Sequence, residues 1–353
     1  MALFLPEFDL QRLNTLAIPA RAQFYVAVTS SEEVLEALSF AAERQLPVLP
    51  LGGGSNIVLA GDYPGLVMHI KLHGIELVDE DETSVWVRAA AGENWHNFVQ
   101  HCLVMGCYGL ENLSLIPGSV GAAPIQNIGA YGVEVKDRVT ELSAIDIRSG
   151  LPVTFTAESC NFAYRDSVFK HSAQDRYIIT SVTFKLDRAA NLVLEYPSLR
   201  QRLQLAAPIN SDIADVAPIT PEQVAAAVIA VRQEKLPNPA DTPNAGSFFK
   251  NPIVDAAQFA RLRKRFADII AYPQADGTVK LAAGWLIDRA GWRGYHDGDV
   301  AVHAEQALVI TNPGRGAGAN VLALADKITQ SVQERYGVRL ELEPRVYPEM
   351  GSV

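Results

Sequence analysis

Residues 117–132, PGSVGAAPIQNIGAYG, run sixteen positions without a Lys, Arg, Asp or Glu. Glycines fall at Gly118, Gly121, Gly129 and Gly132, with prolines at Pro117 and Pro124. Surface loops are ordinarily polar and charged. A loop this small and uncharged suits close approach of backbone to a partner, because glycine reaches positive φ and leaves N–H groups bare. Gln126, Asn127 and Tyr131 are its large polar groups, able to hydrogen-bond a flat heteroaromatic ring or a phosphate. A tight packing turn would use the same composition. Sixteen residues without charge favour a ligand.

The rest of the chain can hold such a loop. A length of 353 residues allows two or three domains and a large core. With 48% hydrophobic and 20% charged residues, a folded rather than disordered chain is expected. The formal charge of −10 argues against a nucleic-acid surface, which needs a basic field. An anionic ligand must therefore be held by local arginines, lysines and backbone amides. The three cysteines, Cys102, Cys107 and Cys160, form no CxxC and have no histidine at zinc spacing. They read as structural thiols in a reducing compartment, with no metal site. The N-terminus has neither a basic segment nor a long apolar run, so no signal peptide or membrane span is expected, and the reading is cytoplasmic.

Local pattern predicts an α+β chain. Residues 24–30 read as a strand, Ser30 to Glu33 as a capping box, and Val34, Leu35, Leu38, Ala41 and Ala42 as a helical face. The stretch PVLPLGGGSN then gives a strand and a glycine turn. Gly52, Gly53, Gly54, Ser55 and Asn56 offer consecutive amides, either a nest for a pyrophosphate or a simple hairpin turn. The loop is neither GxGxxG nor a P-loop, since Ile57 stands at the third glycine position and no Lys follows. From about Gly65 to Leu186 short strands dominate, broken by a helix near Asn94–Met105, and residues 200–219 read as a loop. Thr220, Pro221 and Gln223 start a helix that runs to Lys235. A proline-rich loop follows, then helices near 255–270, 280–291 and 320–336. The last strand is VRLELEPRVY, with Val338, Leu340 and Leu342 on one face and Arg339, Glu341, Glu343 and Arg345 on the other.

Several constellations outside the loops can carry chemistry. Tyr164-Arg165-Asp166 is either a carboxylate clamp or a surface salt bridge. Ser247 precedes two aromatics but is not in a GxSxG elbow, and a turn or N-cap serine is its commoner role. Glu341 and Glu343 could pair as acid and base, or line a solvated strand face. Lys235 and Tyr196 are possible phosphate contacts or plain surface residues. His303, near Gln306, reads as a packed or solvent-facing histidine.

Taken together, LGGGSN (51–56), AGENWH (91–96), GLENLSLIPGSVGAAPIQNIGAYG (109–132), YRDSVFK (164–170), KLPNP (235–239), NAGSFFKNP (244–252), YPQADGTVKLAAGWLID (272–288), HAEQALV (303–309) and LELEPR (340–345) resemble the bacterial UDP-N-acetylmuramate dehydrogenases, in their longer, type I form. The match runs nearly end to end. It implies an α+β fold: an FAD-binding module of the vanillyl-alcohol-oxidase (PCMH) type in two α/β subdomains, plus a C-terminal substrate-binding α+β domain. On that resemblance residues 1–70 form the first subdomain with 337–353 returning to it, 71–236 the second, and 237–336 the substrate domain.

The resemblance also implies the reaction. UDP-N-acetylglucosamine enolpyruvate would be reduced to UDP-N-acetylmuramate for peptidoglycan, with FAD as carrier and NADPH as electron source. NADPH would leave before the sugar nucleotide binds, and hydride would pass from flavin N5 to the enolpyruvyl carbon. By motif match, Arg165 and Glu343 stabilise the resulting enolate and Ser247 donates the proton. FAD would lie on Gly52, Gly53, Gly54, Ser55, Asn56, Pro117, Gly118, Ser119, Gly121, Gln126, Asn127, Gly129, Ala130, Tyr131 and Gly132. Neither loop contains His or Cys, so a non-covalent cofactor is expected. Tyr164, Tyr196, Lys235, Asn251 and Gln306 would contact substrate, and a monomer is expected. Pro344 departs from the β-branched residue many members carry after the catalytic glutamate, which bears on the pairing of the last strand. Two other classes compete: an FAD oxidase of the same fold acting on a sugar or lactone, and a flavin- or nucleotide-sugar-binding module without turnover.

Overall fold

A computed structural model of the chain describes residues 2–204 and 219–348. It divides into two compact units. The first comprises Met1–Pro6, Gln23–Gly53 and Gly65–Glu234, the second Glu7–Ala22, Gly54–Pro64 and Lys235–Val353. Of the loop expected at 200–219, residues 205–218 lie outside the described residues.

The first unit begins with the expected strand–helix–strand. Strand Arg21–Val28 leads to helix α1, Ser31–Glu43, and then to strand Val48–Leu51. Ser30 Oγ accepts from the Glu33 amide at 3.3 Å. The Glu33 carboxylate reaches back one residue further than a capping box requires, to the Thr29 amide at 2.8 Å. Val34, Ala37, Leu38 and Ala41 bury the inner face of α1, whereas Leu35 is exposed. Val48–Leu51 pairs in parallel with Tyr63–Ile70, in a sheet whose order is Leu5–Asp9, Arg21–Val28, Tyr63–Ile70, Val48–Leu51. The glycine run at 52 thus leaves the carboxyl end of a parallel strand, the edge where α/β sheets bind ligands.

The strand-rich middle forms an antiparallel sheet in the order Pro152–Thr156, Val139–Asp146, Tyr177–Asp187, Ser84–Ala90, Ile75–Glu80. Helix α2, Trp95–Val104, packs on it, with the Phe98 ring 5.0 Å from Phe184 and Trp95 at 5.9 Å. Each such buried aromatic contributes about 1.5–3 kcal/mol. Helices α3, Pro197–Arg202, and α4, Pro221–Lys235, follow. The α4 cap is reciprocal: Thr220 Oγ1 accepts from the Gln223 amide at 3.3 Å, and Gln223 Oε1 accepts from the Thr220 amide at 2.9 Å. Leu194, Leu199, Val224 and Val228 close a small core beneath these helices.

The second unit contains an antiparallel sheet ordered Asn244–Ser247, Val309–Thr311, Val300–Val302, His296–Asp297. The YPQADG stretch turns between Ala271–Pro273 and Val279–Leu281. Helix α5 is Ala256–Arg265, ending five residues before the expected 270. Helix α6 is Ala283–Arg289, and α7, Gly318–Tyr336, stops at Gly337 with φ of 66°. The last strand is shorter than its sequence alternation suggests. Val338 and Leu340 are buried between exposed Arg339 and Glu341, yet pairing is limited to a single antiparallel bridge of Leu342 with Phe249 and to Arg345–Tyr347, parallel to Ile57–Leu59. Before Pro344 the chain lies along a different neighbour: the Lys250 amide donates to the Glu341 carbonyl at 2.9 Å, and the Glu343 amide donates to the Phe248 carbonyl at 3.0 Å. After Pro344, the Arg345 amide donates to the Asn56 carbonyl at 3.1 Å. Proline stands where the segment changes partners and no amide is called for.

Candidate active site

In the first unit, the charge-free loop is set by the AGENWH segment. The Trp95 amide donates to the Gly118 carbonyl at 3.1 Å, Val120 to Glu93 at 2.9 Å, and Gly121 to Ala91 at 3.0 Å. A Cβ on Gly121 would lie 2.5 Å from the Ala91 Cβ, and one on Gly53 would lie 3.0 Å from the Gly118 Cα. Gly53 therefore packs backbone to backbone against Gly118, and Gly52 packs against the Ser119 side chain, both closer than a Cβ would allow. Among the described residues, the amides of Gly53, Gly118 and Ser119 find no acceptor in the protein. Adjoining unpaired amides with no side chain between them fit the phosphates and ring edges of a dinucleotide such as FAD.

Past a short 3₁₀ turn at Val120–Gln126, the loop doubles back as a two-residue hairpin. Gly129 pairs with Glu134 and Ala130 with Val133, leaving Tyr131 and Gly132 at the tip with φ of 50° and 89°. Two successive positive φ values are the signature of a type I′ turn, which glycine or asparagine ordinarily fills. Tyr131 holds the first place at a cost of about 1–2 kcal/mol. Asn112 pins it there, its Nδ2 donating to the carbonyls of Tyr131 at 2.9 Å and Val193 at 2.8 Å. The Tyr131 ring meets Tyr196 edge-on at 5.1 Å. Asn127 is fully buried, and its amide bonds Glu134 Oε2, the Ala163 carbonyl and the Lys136 amide. Its part in the loop is to shape it.

Arg165 stands in a tight reversal closed by mutual backbone bonds between Ala163 and Asp166 at 3.0 and 3.2 Å. Its φ is 53°, in the left-handed well like Asn127 at 45° and Tyr131 at 50°. Arg165 Nη2 donates to the Gly129 carbonyl at 2.8 Å, which ties the arginine to the loop. Asp166 is engaged elsewhere, with Oδ2 2.7 Å from His171 Nε2. Ser167, fully buried, donates to the Ile125 carbonyl at 2.6 Å and fastens the YRDS turn to the loop. Strain at Asn127, Tyr131 and Arg165 gathers where the surrounding bonds over-determine it, as at functional sites.

In the second unit, Ser247 ends a strand that pairs with Val309–Thr311 through Asn244↔Thr311 and Ser247↔Val309. An irregularity lies between them, where Gly246 has φ of 68° and its amide donates to Asn244 Oδ1 at 2.8 Å. A bulge of this kind re-aims the following side chain. Phe248 and Phe249, both buried, anchor the strand beyond it. Phe248 donates to Leu308 at 2.8 Å and accepts from Glu343, so Ser247 and Glu343 flank one hydrogen-bonded residue. Asn56 Nδ2 donates to the Glu343 carbonyl at 3.5 Å. Asn251 Oδ1 accepts from the first amide of α6, Ala283, at 2.9 Å. A Cβ on Gly284 would lie 3.5 Å from Gln306 Oε1, so Asn251 and Gln306 adjoin the same turn. Lys235 is exposed at the end of α4, and the Nδ1 of His303 is buried without a partner.

Sequence reasoning missed Asn112 and Ser167.

Two family models match the chain, one described as an FAD binding domain over residues 22–156, the other as the C-terminal domain of UDP-N-acetylenolpyruvoylglucosamine reductase over residues 238–347. The UDP-N-acetylenolpyruvoylglucosamine reductase of Chromobacterium violaceum is 51% identical over 97% of this chain and 98% of its own length. The enzyme of the same name from Pseudomonas aeruginosa is 49% identical over 96% and 97%. The crystal structure of UDP-N-acetylenolpyruvylglucosamine reductase from Thermus caldophilus shares the fold, with a TM-score of 0.66 at 24% identity and 99% of each chain covered.

Proposed function

The chain belongs to the UDP-N-acetylenolpyruvoylglucosamine reductase family of FAD-dependent oxidoreductases in peptidoglycan synthesis, and on that footing we propose that it reduces UDP-N-acetylglucosamine enolpyruvate to UDP-N-acetylmuramate with NADPH as electron donor. Non-covalently bound FAD supplies a two-electron carrier between the two substrates. The chain's own residues do the rest. The amides of Gly53, Gly118 and Ser119 hold the cofactor, and the uncharged loop around them keeps its ring away from competing charge. Reduction of the enolpyruvyl group places negative charge on the carbon beside the carboxylate. Arg165 and Glu343 stabilise that enolate, the arginine by charge and paired N–H groups, the glutamate by hydrogen bonding. Ser247 delivers the proton to the enolate carbon. A neutral hydroxyl is a weak acid, adequate here because the carbon is strongly basic and the serine can be reprotonated by its surroundings. Tyr164, Tyr196, Lys235, Asn251 and Gln306 hold the sugar and diphosphate. Both substrates are nucleotides, and the reaction is read as cytoplasmic.

The observation that supports this reading most is the setting of Ser247. It follows a glycine bulge and stands one residue from Phe248, whose carbonyl accepts from the Glu343 amide. An FAD oxidase with oxygen as acceptor protonates no substrate carbon. The test is an anaerobic two-step assay with flavin absorbance followed throughout. NADPH should bleach the flavin, and enolpyruvyl substrate should restore the colour with one product per flavin. Restoration by air but not by substrate would favour the oxidase. Purified protein unable to bind FAD would refute the reading entirely.

A further inference from the structure

Two adjacent side chains in the first turn of α2 hold the entrance to the charge-free loop, one as donor and one as acceptor. Trp95 Nε1 donates to the Leu113 carbonyl at 2.9 Å, and His96 Nδ1 accepts from the Leu115 amide at 3.0 Å. Leu115 has φ of 59°, in the left-handed well that suits glycine and that a leucine occupies only when held there. Past this corner Pro117 has no amide hydrogen, and the Ile116 amide finds no acceptor among the described residues. The bond to His96 is therefore the amide tie of residues 115–117, immediately before the Gly118 and Ser119 amides assigned to the cofactor.

That bond fixes the state of the ring. A neutral imidazole carries one N–H and one lone pair, and a lone pair on Nδ1 puts the proton on Nε2. An imidazolium has N–H groups on both nitrogens and would turn a donor toward the Leu115 amide. The corner is held only while His96 is uncharged. Its surroundings keep it so: burial foremost, then the Arg232 charge of α4, pushes His96 below its ordinary value, and no carboxylate counters the shift. The nearby carboxylates are engaged elsewhere, Glu93 with the Gly74 amide at 2.8 Å and with His73 at 3.4 Å, and Glu111 with the Gly109 amide at 2.7 Å.

We propose that His96 is a positioning residue for the cofactor: as a neutral acceptor for the Leu115 amide it holds the corner that presents the Gly118 and Ser119 amides, and its protonation releases that corner and weakens flavin binding. This rests on the reading of residues 117–132 as the flavin wall. The sign follows from the ring. FAD binds best to uncharged His96, so affinity is full above about pH 7 and is lost as the pH falls through the native value, which lies below the ordinary histidine value of about 6.5.

The test compares wild type with His96→Asn and His96→Leu. Asparagine sets its Oδ1 near the place of Nδ1 and accepts an amide at any pH, whereas leucine fills the space without an acceptor. FAD affinity of the apoprotein is measured by flavin-fluorescence quenching at about pH 7.5 and about pH 5. The imidazole tautomer of the apoprotein is read by NMR of the ring nitrogens, with His96 assigned by its absence from His96→Asn. His96 should be the Nε2–H tautomer at the higher pH. Wild type should lose about tenfold in FAD affinity between the two pH values. His96→Asn should match wild type within about twofold at the higher pH and should change by no more than about twofold on acidification. His96→Leu should bind FAD about tenfold more weakly at the higher pH. An Nδ1–H tautomer would overturn the proposal. So would His96→Asn that binds as weakly as His96→Leu or weakens with acid as much as wild type, and so would His96→Leu that binds like wild type. His96→Asn and the tautomer decide the matter even where His96→Leu does not fold. Wild type that takes up no FAD at either pH would refute the flavin wall itself, and this role with it, while an Nε2–H tautomer in the same apoprotein would show the Leu115 bond intact, so the two failures are told apart.

Discussion

The amide of Glu343 donates to the carbonyl of Phe248 at 3.0 Å. This bond fixes a glutamate ten residues from the chain end beside the residue that follows Ser247. Pro344 makes the arrangement durable, because the segment releases the Phe248 strand there and picks up Ile57–Leu59 immediately after. Ser247 has its own support in the Gly246 bulge. The serine position is thus defined by backbone bonds that survive loss of its hydroxyl. Ser247→Ala should fold normally and should let NADPH bleach the flavin at a rate within about twofold of wild type. Reoxidation by the enolpyruvyl substrate should slow by about 10²–10⁴-fold, the range for a lost proton donor. Stopped-flow absorbance separates the two half-reactions, and reoxidation near the wild-type rate would remove Ser247 from the proton path.

Arg165 and Glu343 are assigned to the enolate, so their loss should act on turnover and spare cofactor binding. Arg165→Ala and Glu343→Gln should each lower kcat by about 10²–10³-fold. Arg165→Lys should recover little, because an ammonium cannot present paired N–H groups. Flavin content of the purified variants should stay near one per chain. Turnover that survives either change would refute the assigned role.

Arg165 also allows the stored strain to be measured. Its φ of 53° suits glycine and penalises any residue with a Cβ. Arg165→Gly should be more stable than Arg165→Ala by about 1 kcal/mol, although both lose the Gly129 contact. Equal unfolding free energies for the two variants would mean that the turn relaxes in solution and holds no strain.

Most of the fold could be read from sequence because it depends on local signals. The Thr220–Gln223 cap, the α1 crossover and the glycine stop of α7 are each set by a few adjacent residues. What escaped depends on partners far along the chain. Asn112 matters because it bonds carbonyls at 131 and 193, and Ser167 because it bonds the carbonyl at 125. Nothing in their neighbours in sequence announces those acceptors. The terminal strand was over-read for a related reason. Alternation at 338–341 records burial on one side only, and the pairing partner changes at Pro344.

His69 gives the protein a pH dependence that can be assigned to one side chain. It is 7% exposed, its Nδ1 lies 2.9 Å from the Tyr25 hydroxyl, and burial, with Lys71 second, lowers its pKa to about 4. In the unfolded chain it would titrate near 6.5. Between those values the unfolded state binds a proton that the native state refuses, so stability falls as pH drops from 6.5 toward 4 and is unaffected by this residue above 7. The full loss is at most about 3 kcal/mol. His69→Gln should flatten the acid limb of urea-unfolding free energy between pH 7 and 5. An unchanged limb would assign the acid sensitivity to other groups.

Gly121 tests whether the charge-free loop is shaped by space alone. Its φ is not among the positive ones, so conformational freedom is not its purpose. A Cβ there would meet the Ala91 Cβ at 2.5 Å and the Ala91 Cα at 3.1 Å, and Ala91 is buried in the core beneath the sheet. Gly121→Ala must therefore push the loop away from the AGENWH segment or distort that segment. The cost should be about 1–3 kcal/mol, typical of overpacking, with FAD affinity reduced because the Gly118 and Ser119 amides move with the loop. Ala91→Gly removes the facing methyl and leaves the Ala91 Cα at 3.1 Å and its carbonyl oxygen at 3.2 Å. Combined with Gly121→Ala it should restore part of the lost stability and FAD affinity, although Ala91→Gly alone is mildly destabilising. Additive losses in the double variant would mean that the loop is held by something other than this contact, and the backbone packing inferred for the cofactor wall would have to be abandoned.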